Sequence, residues 1–128
     1  MTSELSILML YGLLVIATIL IQVLLALPQV GLPYLASPRD EQRELPGTAG
    51  RAERALGNSV VAMALFAPAI LVLHINGATG PASLLAAQVF LIARLIYLPV
   101  YLAGIPWLRT AVWMVGLLAT AWLYLLAI

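Results

Sequence analysis

The chain has 128 residues, of which 64% are hydrophobic and 9% charged, with a mean hydropathy of +1.09. A soluble domain carries about 25% charged residues, so this composition excludes an ordinary soluble fold and points to one domain built for lipid. A formal net charge of +1 excludes a polybasic nucleic-acid face, and no cysteine with a single histidine excludes disulfides, a thiol of its own and a Cys/His metal cluster.

Leu5 to Leu27 is apolar apart from small residues and Gln22. About 20 such residues suffice to cross a bilayer, so the run reads as helix 1. A signal peptide is disfavoured, because the run is too long and follows Glu4 instead of a basic stretch. Pro28, Pro33, Pro38 and Pro46 then punctuate a connection that holds Arg39, Asp40, Glu41, Arg43 and Glu44. Proline at this density prevents a continuous helix and predicts a solvated loop.

Helix 2 is predicted over about 51–74, with Thr48 as the candidate N-cap and Pro68 as a bend. His74, at its far end, reads as interfacial. The turn from Asn76 to Pro81 leads to helix 3, about 82–102, which Gly104 and Pro106 end. Helix 4 spans about 107–128. Trp107, Trp113, Trp122 and Tyr124 are candidates for the interfacial aromatic belts. The pairs Gly116/Thr120 and Ala82/Ala86 have the small-xxx-small spacing suited to close helix contact. The prediction is an all-α integral membrane four-helix bundle occupying residues 1–128.

Arginine placement sets an orientation. Arg39, Arg43, Arg51 and Arg54 lie between helices 1 and 2, and Arg109 lies after helix 3, whereas the turn between helices 2 and 3 has no basic residue. The positive-inside rule therefore places loops 28–50 and 103–108 in the cytosol and both termini outside, in a multi-pass cell membrane.

Arg94 is the exception, an arginine inside an apolar span. An ionised group at mid-bilayer costs at least about 2.5–3.5 kcal/mol unless it is paired or faces a wet cavity. Tyr97 and Tyr101 follow at i+3 and i+7, so all three share one helix face. Arg94 lies about 12 Å above the helix exit near Leu102 at 1.5 Å per residue, a depth that Asn58 of helix 2 can match. Arg54, Arg94 and Arg109 with Asn58, Tyr97 and Tyr101 would then form an anion site in the cytosolic half. Arginine suits such a site because its planar fork binds carboxylates and stays charged when buried. An arginine or phenol can also stabilise a thiolate by donating to it. An interhelical Arg94–Asn58 bond worth about 1 kcal/mol accounts for the same residues without any ligand.

The run Arg51-Ala52-Glu53-Arg54-Ala55-Leu56-Gly57-Asn58 resembles the helix 2 signature of the MAPEG family, the membrane-associated proteins of eicosanoid and glutathione metabolism. The stretch from Ala93 through Arg94, Tyr97 and Tyr101 to Arg109 resembles helix 3 and the following loop in small bacterial members. The resemblance covers nearly the whole chain. It implies a homotrimer holding glutathione between subunits, as co-substrate and without a metal. By position, Arg54, Asn58, Arg94 and Tyr101 would help to fix glutathione, with Arg51 and Tyr97 as further ligand-binding candidates. Arg109, with Tyr101, would stabilise the thiolate. Two positions depart from the family pattern. Val61 stands where a glutamate commonly holds the ammonium of glutathione, and Gly57 stands where a basic residue is frequent. Glu53 is one position off the Arg54 face.

The functional expectation is a glutathione-dependent or other thiol-dependent transferase or peroxidase acting on lipophilic small molecules in the membrane. The alternative is a non-catalytic protein of the same fold, binding another anionic ligand or using Arg94 structurally. A small multidrug transporter is a weaker match, since helix 1 has no intramembrane carboxylate for proton coupling.

Overall fold

The computed structural model describes residues 3–38 and 45–128. Among them are four long helices: α1 (Glu4–Val30), α3 (Gly47–Ile75), α4 (Pro81–Ala103) and α5 (Pro106–Ala127). A single-turn helix, α2 (Leu32–Leu35), follows α1. Each long helix is extended and apolar enough to cross a membrane. The charged residues Arg39, Asp40, Glu41, Arg43 and Glu44 of the connecting loop lie outside the described residues.

The ends of the helices follow from local chemistry. Ser3 caps α1, its hydroxyl accepting from the Ser6 amide at 3.1 Å. Contrary to the boundary expected at Leu27, α1 runs through Pro28 to Val30. Pro28 has no amide to donate to the Leu24 carbonyl, and the helix ends two residues beyond it. The turn is closed by the Gly31 amide donating to the Leu27 carbonyl at 2.9 Å, with Gly31 at φ 81°. Helix α3 starts at Gly47 with Pro46 as its N-cap, so Thr48 lies inside the first turn and does not cap it. Pro81 and Pro106 occupy opening positions of α4 and α5, where their missing amide donors cost nothing. Gly104, in the left-handed conformation at φ 76°, ends α4. The amides of Gly104 and Ile105 turn back onto the carbonyls of Tyr101 and Val100, the paired closure typical of a glycine C-cap.

The most extensive packing pairs α1 with α3 and α4 with α5, and among the described residues the backbones of α1 and α5 do not approach each other closely. The half of the bundle that holds both termini is built around a hydrophobic cluster. Tyr11, Phe66 and Phe90 lie at its centre, with Phe66 and Phe90 stacked at 3.9 Å between ring centroids and Tyr11 edge-on to Phe90 at 4.9 Å. Such aromatic contacts add about 0.5–1.5 kcal/mol beyond the area they bury. Ile7, Ile70, Leu73 and Leu123 complete this half with no exposure to solvent. Glu4, Ser83 and Thr120 are buried polar residues of this half, while Arg94, Tyr97, Tyr101 and Arg109 cluster in the opposite half, toward the α4–α5 turn.

Candidate functional site

Arg94 is the centre of that cluster and is only 3% exposed. One amino group, Nη1, donates to Asn58 Oδ1 at 2.9 Å, and the other, Nη2, donates to Ser59 Oγ at 2.8 Å. The backbone carbonyl of Ser59 accepts from the Tyr11 hydroxyl at 2.8 Å. Three helices, α1, α3 and α4, are thus tied through two adjacent residues of α3. The matching depth of Asn58 and Arg94 expected from helical rise is met. Ser59 and Tyr11 are additions that spacing did not reveal. Arg94 Nε is buried with no acceptor.

The same guanidinium lies over the Tyr97 ring, its Cζ 4.1 Å from the centroid. Tyr97 meets Tyr101 edge-on at 5.4 Å, and Arg109 Cζ lies 4.9 Å from the Tyr101 centroid. The result is a continuous alternation of arginine, two tyrosines and arginine along α4 and onto the first turn of α5. The rings present their electron-rich faces to the cations, an attraction of about 0.5–2 kcal/mol each depending on desolvation. The i, i+3, i+7 spacing of Arg94, Tyr97 and Tyr101 therefore gives one working face.

Between α3 and α5 this face opens into a cavity of about 320 Å³ lined by Asn58, Tyr97, Tyr101, Arg109, Thr110 and Trp113. An adjoining cavity of about 120 Å³ shares Asn58 and Trp113 and continues along Val61, Leu65 and Leu117, with Arg94 and Gly116 as part of its floor. Trp113 is therefore a wall of the site, although its sequence position suggested an interfacial belt. Trp107, 86% exposed at the α4–α5 turn, remains at the surface. Gly116 and Thr120 are both buried, and a Cβ at Gly116 would lie 3.8 Å from Ala93 and Arg94, so this small pair packs against α4 of the same chain.

Two other predicted ligand residues are placed differently. Arg51 Nε donates to the Leu102 carbonyl at 2.9 Å and its Nη2 to Thr48 Oγ1 at 3.1 Å. It closes over the end of α4 and does not line either cavity. Arg54 and Glu53 are exposed on α3 and also lie outside the lining. His74 is exposed in the last turn of α3, at the opposite end of the bundle.

Four membrane-capable helices around a buried, hydrogen-bonded arginine define a multi-pass membrane protein whose arginine–tyrosine cluster lies toward one end. Its sequence matches the MAPEG family model over residues 5–128, nearly the whole chain, and the protein belongs to that family, whose members serve glutathione and eicosanoid metabolism. Neither a curated protein nor a solved structure matches it.

Proposed function

We propose that the protein is a thiol-dependent transferase or peroxidase that acts on lipophilic electrophiles dissolved in the membrane, with glutathione or another thiol as co-substrate. The observation that carries this reading is the cavity walled by Tyr101 and Arg109. There a guanidinium held against a phenol ring flanks a space large enough for a ligand headgroup. A thiolate in this position would be stabilised by the Arg109 charge and by donation from the Tyr101 hydroxyl, which favour the ionised form. In transfer, the sulfur forms a bond to an electrophilic carbon as the leaving group departs with its electron pair. In peroxide reduction, two thiols and one hydroperoxide yield a disulfide, an alcohol and water. Binding both partners in the bundle would supply proximity.

Family membership supports a homotrimer surrounded by lipid, and the arginine distribution supports cytosolic loops at 28–50 and 103–108. Arg94 favours a second role within this reading. Its two amino groups are engaged inside the bundle, so it acts as an internal tie that holds Asn58 and Tyr97 in the cavity wall. The test is thiol consumption by the purified protein with an aryl halide and with a lipid hydroperoxide, compared with Arg109→Gln. Turnover lost in the variant supports the enzyme. No turnover by the wild type with glutathione or with simpler thiols sinks it in favour of a non-catalytic member.

A further inference from the structure

Two polar ties join α3 to α4, one on either side of the tyrosine pair. Asn58 accepts from Arg94 at 2.9 Å, and Arg51 Nε donates to the Leu102 carbonyl at 2.9 Å. Arg51 and Asn58 lie two helical turns apart on one face of α3, and the two helices run in opposite directions, so the ties bracket Tyr97 and Tyr101. Between the ties the backbone of α4 is interrupted. Pro99 has no amide to donate to the Leu95 carbonyl, which removes one bond between the turn that carries Tyr101 and the turn before it. Gly104 ends the helix at φ 76° immediately beyond.

Segment 99–104 is thus a single turn with a proline at one end and a left-handed glycine at the other. Its carbonyls at Val100 and Tyr101 accept from the amides of Ile105 and Gly104 within the same turn, at 3.3 Å and 3.0 Å, whereas Leu102 accepts from a side chain of another helix. The Arg51 side chain lies across the glycine, since a Cβ at Gly104 would be 3.6 Å from Arg51 Cζ and Nε. The segment carries Tyr101, which lines the larger cavity and has Arg109 Cζ 4.9 Å from its ring centroid. Arg51 itself lines neither cavity. We propose that Arg51 is a positioning residue of the site: by holding the Leu102 carbonyl it fixes the last turn of α4, and with it the Tyr101 hydroxyl in the cavity wall. The consequence for turnover rests on the thiol-dependent reading above.

The experiment compares the wild type with Arg51→Met, which keeps the apolar stem and removes the donor, and with Arg51→Gln, whose amide nitrogen can occupy the place of Nε without its charge. Hydrogen–deuterium exchange and steady-state turnover of glutathione with an aryl halide are measured on the detergent-purified full chain. In Arg51→Met the amides of Gly104, Ile105 and Arg109, all bonded around this turn, should exchange at least about tenfold faster while those of 84–94 do not change. The value of kcat should fall about fivefold, no more than loss of the Tyr101 hydroxyl itself, with KM for the aryl halide unchanged. Arg51→Gln should recover part of both losses. In a Tyr101→Phe background the effect of Arg51→Met on kcat should shrink to less than about twofold. Unaltered exchange at 99–109, or exchange accelerated equally in all four long helices, overturns the positioning role and leaves the thiol reading standing. An Arg51→Gln protein no better than Arg51→Met, with KM for glutathione raised and kcat intact, overturns it in favour of direct contact between the Arg51 charge and the ligand. If the wild type turns over neither glutathione nor simpler thiols, the thiol reading falls, and the exchange pattern alone decides whether Arg51 holds the turn. Should Arg51→Met fail to assemble, Arg51→Gln carries the same comparison on a smaller scale.

Discussion

Arg51 and Leu102 join the start of one helix to the end of another: the Arg51 Nε donates to the Leu102 carbonyl at 2.9 Å, where α4 has no further amide of its own to offer. A cation on the last carbonyls of a helix also complements its dipole. Arg51→Gln should therefore loosen the α4–α5 turn and destabilise the bundle by about 1 kcal/mol, less than the ~1.5–3 kcal/mol of a buried hydrogen bond to a charged group because the site is only half-buried. Thermal unfolding in detergent measures this. A variant that melts with the wild type would mean that the bond contributes nothing.

Arg94→Leu should cost more. It removes two interhelical bonds and the contact with Tyr97, leaving Asn58 and Ser59 without their donor. The expected loss is about 2 kcal/mol, given that interhelical polar bonds in membranes contribute about 0.6–2 kcal/mol each. Arg94→Lys, able to reach one acceptor at a time, should fall between. Titration with a denaturing detergent, followed by loss of helical signal, gives the ranking. If Arg94→Leu is as stable as the wild type, the arginine is retained for a ligand alone.

Gly116 runs against the usual expectation for a buried glycine. A methyl group there would meet Ala93, Arg94 and Phe90 at 3.8–3.9 Å, ordinary contact distances. Gly116→Ala should be neutral or stabilising by up to about 1 kcal/mol, the helix propensity gained. Gly116→Leu should instead fill the smaller cavity and cost about 1–3 kcal/mol through overpacking. The same unfolding titration compares them, and a destabilised Gly116→Ala would show that α4 and α5 pack more tightly than these distances allow.

Arg109 and Tyr101 should separate in function. Arg109→Gln removes the charge nearest the proposed sulfur position and should lower kcat/KM with a thiol about 100-fold, the scale of losing one preorganised stabilising donor. Tyr101→Phe keeps the ring beneath Arg109 and should lower it less than about tenfold, the cost of one net hydrogen bond. The ultraviolet absorbance of bound thiolate should decline in the same order. The reverse order would assign the tyrosine, and not the arginine, as the principal stabiliser.

Much of the architecture is legible in the sequence, because four long apolar runs separated by proline and glycine leave few other arrangements. The alignment of Arg94 with Asn58 is legible too, since helical rise and antiparallel order fix their depths. Residues whose partners depend on helix rotation are not. Ser59, one position from Asn58, shares in binding Arg94 because the guanidinium spans two acceptors. Arg51 shares a face with Arg54 and Asn58 by spacing, yet its long side chain turns to the end of α4. Trp113 illustrates the same limit, since an aromatic near a helix end serves an interface or a cavity according to a rotation that composition does not encode.

The crevice between α3 and α5 has Val61, Leu65 and Leu117 on its rim, 59%, 42% and 37% exposed. On the function proposed above, a lipophilic substrate entering there would come sideways from the hydrocarbon and need never cross water. Its availability is then set by how many copies share each unit of bilayer, so doubling the lipid at constant total substrate halves the concentration that the protein encounters. Rates would follow mole fraction in the membrane, and two compounds of equal reactivity would differ in turnover simply because one partitions into lipid and the other does not.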